Sequence, residues 1–414
     1  MIDFQKHILS NGLRLLIHED HTLPLAVLNV LYDVGSRDEN PEKTGFAHLF
    51  EHLMFGGSVN IPSYDEPLQR VGGENNAFTS NDLTNYYIQI PSVNLETAFW
   101  LESDRMLELA FSQKSLEVQR NVVIEEFKQR YLNQPYGDAW LHLRPLVYKQ
   151  HPYRWATIGK ELSHIENVKM EDVKSFFKKH YNPQNSILVV AGDVSPEKVL
   201  ELSQKWFEII PAGEKYNRSL PKESTQTEAR KETIHAKVPL DALYLAFPMV
   251  GKQDERYFAV DLLSDILGKG SSSRLYQSLV KNKPVFSEIH SYLSSDLDPG
   301  IFVIEGKLIE GVSLETAENS VWEELQKFVD HRVEINELTK VKNKVESTLA
   351  YGQMNLLDKA INLAYFELQG DATEINRELD RYLKVSAENI QNVACEIFLA
   401  TRKNELFYQK ELTK

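Results

Sequence analysis

The opening of the chain alternates between apolar and polar positions as two strands joined by a tight turn do: QKHILS, then Asn11-Gly12, then LRLLIHED. The apolar run LAVLNVLYDVGS predicts a central strand. The period then changes to a helical one over 43–55, closed by Gly56 and Gly57. Segment 76–91, NAFTSNDLTNYYIQIP, alternates like two short strands around a polar turn. Helical patterns follow at 93–110, 114–132 and 171–179. SILVVAGDV at 186–194 predicts a strongly apolar strand ending in a Gly-Asp turn, with a helix rich in Leu, Val and Trp after it.

Residues 213–231 have almost no large apolar side chains and read as an exposed polar linker. Beyond them the elements begin again: ALYLAFPMV as a strand, RYFAVDLLSDILG and SSRLYQSLVKN as helices, GIFVIEGKLI as a strand. The economical reading is a duplicated α+β unit, with domains at 1–212 and 232–414 around the linker 213–231.

Composition narrows the class. The chain has 414 residues, enough for about two domains, with 42% hydrophobic and 26% charged residues, as in ordinary globular proteins. A net charge of -14 and a pI near 5.4 repel nucleic acid and anionic membrane surfaces, so neither is expected as a partner. Cys395 is the only cysteine, which excludes an internal disulfide and any cysteine-built zinc or iron–sulfur site. Within VACEIFLA it reads as a buried core thiol. The start MIDFQKHILSNG has no apolar h-region and no run approaches a membrane span. The expected setting is cytoplasmic, or periplasmic for a chain from which a signal peptide has been removed.

The run HLFEH at 48–52 carries the chemistry. On a helix His52 falls about 40° from His48 and Glu51 about 60° to the other side. Two imidazoles one turn apart suit a single zinc ion, and the glutamate beside them suits a general base acting on zinc-bound water. Phe46, Leu49, Phe50, Leu53, Met54 and Phe55 surround the motif, and polar residues in so apolar a helix are costly unless paired or metal-bound.

A catalytic zinc site needs a third protein ligand and one open position. The helical segment 114–131 offers Glu117, Glu125 and Glu126 beside an apolar stripe of Leu116, Val123, Phe127 and Tyr131. Glu125 falls about 165° from the centre of that stripe and should face water, whereas Glu126 falls about 95° away, at its border, and is the better candidate.

HLFEH, followed by GGENNAFTSNDLTNYY at 72–87 and RNVVIEE at 120–126, resembles the pitrilysin or insulinase family of metallopeptidases. HPYRWATIGK and YNPQNSILVVAGDV match its pattern too, so the resemblance spans the N-terminal half. It implies two homologous α+β domains, each a mainly antiparallel sheet covered by helices, facing each other as a half clam-shell. It implies one Zn2+ per chain held by His48, His52 and Glu126, with Glu51 as the catalytic base. It also implies that the strand Asn76, Ala77, Phe78 and Thr79 binds peptide substrates by β-augmentation. Without the resemblance that strand reads as an ordinary sheet edge.

Two departures bear on function. Gln119 stands where the family commonly has a glutamate, seven positions before the third ligand. Active single-chain members carry an Arg and a Tyr in a stretch resembling LREKRGLAYSV, whereas this chain has LVKNKPVFSEI at 279–289, with Val280 and Ser287 at those positions. Arg274 matches a different arginine and reads as structural. The expectation is the zinc-bearing endopeptidase subunit of a heterodimer whose homologous partner supplies the missing pair, with a homodimer as the other assembly. The alternative is a non-catalytic scaffold of the same fold. A closed structural zinc site is excluded by ligand count, since such sites use four ligands.

Overall fold

The computed structural model describes residues 1–294 and 296–411. They form two compact units. The first comprises Met1–Phe127, Trp155–Leu220 and Ala350–Arg377, the second Lys128–Arg154, Pro221–Leu349 and the chain from Glu378 onward.

The first unit is built on six strands: β1 (Gln5–Ile8), β2 (Arg14–Glu19), β3 (Leu25–Tyr32), β4 (Glu74–Thr79), β5 (Thr84–Pro91) and β6 (Ser186–Gly192). Their order is β1-β2-β6-β3-β5-β4, antiparallel except for the β2–β6 pair. Apolar SILVVAG makes β6 buried along its whole length, as a strand covered on both faces must be. Helix Leu356–Leu368 covers one face, packing Ala360, Leu363 and Ala364 against Leu16, Val27 and Val189. Asn29 lies fully buried in β3, and it is tolerated because its amide exchanges hydrogen bonds with Asn85 of β5 at 3.0 and 2.7 Å. The helix expected after β6 runs Pro196–Trp206, opened by Ser195, whose hydroxyl accepts from the Lys198 N–H, and by Pro196 at its first position.

The second unit holds β7 (Arg230–Ala236), β8 (Ala242–Pro248), β9 (Phe286–Ser294), β10 (Ile301–Leu308) and β11 (Asn404–Lys410), in the order β7-β11-β8-β10-β9. Only β7–β11 is parallel. This is the winding of β2 to β6 repeated strand for strand, so the duplication suggested by the order of elements is visible in the topology.

The units depart from the expected continuous spans, 1–212 and 232–414, by a reciprocal exchange. Helix Ala139–Val147 packs on β7, β8 and β11, with Leu143 and Val147 in the cluster around Tyr244, Leu406 and Tyr408. Helix Leu356–Leu368 packs on β2, β3 and β6. Each is the third α-helix after the fourth strand of its repeat. An amphipathic period shows that a helix buries one side but not which sheet receives it.

The polar stretch 213–231 has no helix or strand before β7, as expected, but it is pinned rather than free. Arg218 binds Asp33 and Asp38 of the first unit at 2.7 Å each. Glu223 accepts the backbone N–H groups of Lys149, Gln150 and His151 in the second. The expectation of a buried Cys395 is corrected: it is exposed, because helix Ala387–Ile397 turns Ile390, Val393, Ala394 and Ile397 inward and leaves position 395 on the far side. The helix expected over 114–132 is α-helical over Gln113–Phe127 and then widens to a π-helix over Lys128–Leu132, a change often found at functional sites.

Candidate metal centre

The site starts from a helix that is short and tightly held. Phe46–Leu53 buries Phe46, Ala47, Leu49, Phe50 and Leu53. The Phe50 ring lies 4.5 Å from that of Tyr181 and 5.4 Å from that of Phe176. With that side fixed, His48, Glu51 and His52 project from the other. The helix begins at Gly45, whose φ of 86° suits only glycine without strain. A Cβ there would stand 2.5 Å from the Ile158 carbonyl oxygen.

The first turn is capped from a distance. Glu39 lies in the loop after β3, and its carboxylate accepts from Gly45 N–H at 2.9 Å and Ala47 N–H at 2.8 Å. Burial pushes this carboxyl up to about 8, against the pull of those backbone bonds and of Trp155. No spacing rule in the sequence singles out Glu39, since it lies outside the helical pattern.

The third element is helix Gln113–Phe127, which seats Leu116, Val123 and Phe127 inward. Glu126 then falls at the border and Glu125 stays exposed, as the helical wheel predicts. Glu126 Oε2 stands 3.6 Å from His48 Nε2 and 3.5 Å from His52 Nε2. The two imidazole rings are 4.9 Å apart and nearly perpendicular. Among the described residues this is the only group of three or more His, Cys, Asp or Glu side chains with donor atoms all within 4.8 Å of one another.

Donors about 2.1 Å from a tetrahedral zinc ion stand about 3.4 Å apart. The two nitrogen–oxygen separations match that spacing, so the three residues fit zinc. Their side chains are 12%, 24% and 20% exposed, which leaves room for solvent beside the group. Three donors rather than four is the count of a catalytic site.

Glu51 is tied to the sheet: Thr79 Oγ1, on β4, donates to its Oε2 at 2.5 Å. Among the described residues strand β4 pairs with β5 alone and so lies at the sheet edge, where the Asn76 side chain accepts from Ala77 N–H at 2.8 Å. Glu74, Asn76 and Phe78 are exposed, while Asn75, Ala77 and Thr79 are half-buried on the opposite face. Beneath these elements Arg105, 1% exposed, pairs with Glu102 and lies over the rings of Tyr64 and Tyr86 at 4.6 and 4.4 Å. Sequence reasoning passed over this pair because both residues sit in a helix of mixed character.

The positions marked as departures are also placed. Gln119 is half-buried about two turns before Glu126 on the same helix face. Arg274 makes a two-point ion pair with Glu337 and covers the Phe328 ring at 4.1 Å, in line with a structural role. Val280 packs against the core of the second unit, and Ser287 Oγ donates to the Lys307 carbonyl at 3.0 Å. No helix among the described residues is long and apolar enough to cross a membrane.

Residues 14–142 match the family described as Insulinase (Peptidase family M16), and residues 167–345 match the Peptidase M16 inactive domain. The zinc protease PqqE of Helicobacter pylori is 30% identical over 405 residues, 96% of this chain and 91% of that one. A protein named "probable mitochondrial-processing peptidase subunit beta" in Arabidopsis thaliana is 25% identical over 356 residues, 82% of this chain and 66% of that one. The crystal structure of a protease from Helicobacter pylori superposes with a TM-score of 0.92 at 29% identity, covering 99% of this chain and 100% of that one.

Proposed function

This chain belongs to the insulinase family of peptidases, M16, and from that premise we propose that it is a zinc-dependent endopeptidase acting on extended peptides. The observation that carries the reading is the convergence of His48, His52 and Glu126 at the spacing of zinc ligands.

His48, His52 and Glu126 would hold the ion. When bound, zinc lowers the pKa of a coordinated water and polarises the scissile carbonyl. Glu51, one residue before His52, is the general base: its carboxylate takes the water's proton and returns it to the leaving amine. Strand β4 receives the substrate along its open edge, where main-chain bonds hold an extended peptide with little regard to its sequence. Asn76, Ala77, Phe78 and Thr79 contribute their backbone to this pairing.

The reading includes a partner. Val280 and Ser287, packed and hydrogen-bonded within the second unit, offer neither a cation nor a phenol to a substrate. A homologous chain would supply both, in a heterodimer in which this chain bears the metal. The word "subunit" in the name of the Arabidopsis relative supports that arrangement. The sequence repeats belong to the same reading, 1–212 bearing the zinc, 213–231 as linker and 232–414 homologous without metal, each repeat lending one helix to the other's compact unit. So does a cytoplasmic setting, supported by a lone cysteine; recovery of the chain in a periplasmic fraction would overturn it.

The test is Glu51→Gln. This variant should keep one zinc per chain and lose peptide hydrolysis by at least about a hundredfold, the scale of general-base catalysis. Full activity in that variant would remove the mechanism. A wild-type chain that binds zinc yet cleaves nothing, alone or with every co-purifying chain, would favour the scaffold reading.

A further inference from the structure

The base and the substrate strand belong to different elements, helix Phe46–Leu53 and β4, yet one side chain joins them. We propose that Thr79 is a positioning residue: its hydroxyl, donating to Glu51 Oε2 at 2.5 Å, holds the general base in its working orientation and couples that orientation to the strand that receives the peptide. The inference rests on the endopeptidase reading and deepens it by giving Thr79 a side-chain role beyond its backbone.

Three observations support it. First, the strand's alternation places Thr79 on the half-buried face, away from Asn76 and Phe78. That face packs on helix Phe46–Leu53. The side chain therefore addresses the helix while the main chain remains at the sheet edge. Second, Glu51 has three rotatable side-chain bonds, so its carboxylate has no fixed direction unless something outside the helix holds it. A short bond to a charged acceptor is among the stronger single contacts a hydroxyl makes. Third, the carboxylate lies beside buried groups, where a hydrogen bond to it is stronger than in water. Tyr86 and Tyr181 lie close enough for the Glu51 charge to push their phenols up, after burial as the larger cause. Those two phenol oxygens face each other at 3.3 Å.

The backbone register makes the coupling mechanical. Thr79 pairs with Thr84 at the end of the β4–β5 ladder, where the turn through Ser80–Leu83 begins. Thr84 is itself anchored, its hydroxyl donating to the Val34 carbonyl at 2.8 Å. A peptide adding a strand to β4 would damp the motion of Thr79, and with it that of Glu51.

The experiment compares Thr79→Val, which keeps shape and removes the hydroxyl, with Thr79→Ser, which keeps the hydroxyl. Both use the zinc-loaded full chain with any chain that co-purifies. In crystal structures Thr79→Val should show the Glu51 carboxylate displaced or split between rotamers, and Thr79→Ser should restore the single position. Zinc content should stay at one per chain in both. With an extended peptide, Thr79→Val should lower kcat roughly ten- to hundredfold, on the scale of a hydrogen bond to a charged group, with KM within about twofold. Thr79→Ser should recover most of kcat. A Glu51 carboxylate unmoved in Thr79→Val, a kcat unchanged, or a loss that Thr79→Ser fails to rescue would each overturn the inference. Glu51→Gln, measured alongside, separates the two levels: an inactive Glu51→Gln beside a normal Thr79→Val sinks only the role of Thr79, while an active Glu51→Gln sinks the function itself.

Discussion

The assignment of Glu126 rather than Glu125 as the proposed third ligand is the sharpest consequence of the geometry, and it can be measured without knowing the substrate. Glu126 Oε2 stands 3.6 and 3.5 Å from the two imidazole nitrogens, while the neighbouring Glu125 is exposed on the same helix. Losing even an outer-shell partner of a metal ligand costs about ten- to hundredfold in affinity. Removing a direct carboxylate donor should exceed that, so Glu126→Gln should weaken zinc binding more than about a hundredfold, or roughly 2.7 kcal/mol. Glu126→Asp keeps the charge but withdraws the oxygen by one methylene, and should fall between wild type and Glu126→Gln. Glu125→Gln removes an exposed charge that salt largely screens, so its effect should stay within about twofold. The assay is competition for zinc against a chromophoric chelator at 0.15 M salt, with far-UV circular dichroism to show that each variant folds. Equal losses in Glu125→Gln and Glu126→Gln, or a normal affinity in Glu126→Gln, would refute the ligand assignment.

Two further outcomes follow from the supports of the site. Gly45→Ala puts a Cβ 2.5 Å from the Ile158 carbonyl oxygen at a residue with φ of 86°, so it should destabilise the first unit by about 2 kcal/mol or more and hasten zinc loss to a chelator. Urea unfolding and a zinc-release time course check this, and a wild-type profile would show that the helix start tolerates rearrangement. His180 is held neutral, its pKa lowered to about 3, by burial first and then by Lys179 and Arg218. The unfolded chain takes up a proton near pH 6.5 that the folded one refuses, so stability should fall as pH drops from about 6.5 towards 3, by up to about 1.4 kcal/mol per unit. His180→Phe, suited to neighbours Phe176 and Tyr216, should flatten that slope in pH-dependent thermal melts; an unchanged slope would show that His180 does not set it.

Much of this molecule is legible in short-range pattern. A motif such as HLFEH fixes the relative directions of His48, Glu51 and His52 as soon as its segment is helical, because helix geometry depends only on neighbours a turn apart. The same reasoning separated Glu126 from Glu125, since the apolar stripe of Leu116, Val123 and Phe127 orients the whole helix. The repeated order of strands likewise announced two similarly wound sheets.

Other features depend on where distant segments meet, and no local period encodes that. Helices Ala139–Val147 and Leu356–Leu368 advertise a buried side, but only the folded units reveal that each serves the sheet of the other repeat. Cys395 lies in an apolar run yet faces out, because burial on a helix follows angle and not neighbourhood in sequence. Glu39 capping Gly45 and Ala47, Arg218 gripping Asp33 and Asp38 from a polar stretch, and Thr79 reaching Glu51 join residues with no characteristic spacing. The amino-acid order by itself determined which side chains are candidates for the metal and the helix faces they occupy. Only tertiary structure decided that His48, His52 and Glu126 meet at a zinc-sized separation with Glu51 tethered beside them. Closing such contacts depends on the packing of whole elements, whereas a periodicity speaks only for its own segment.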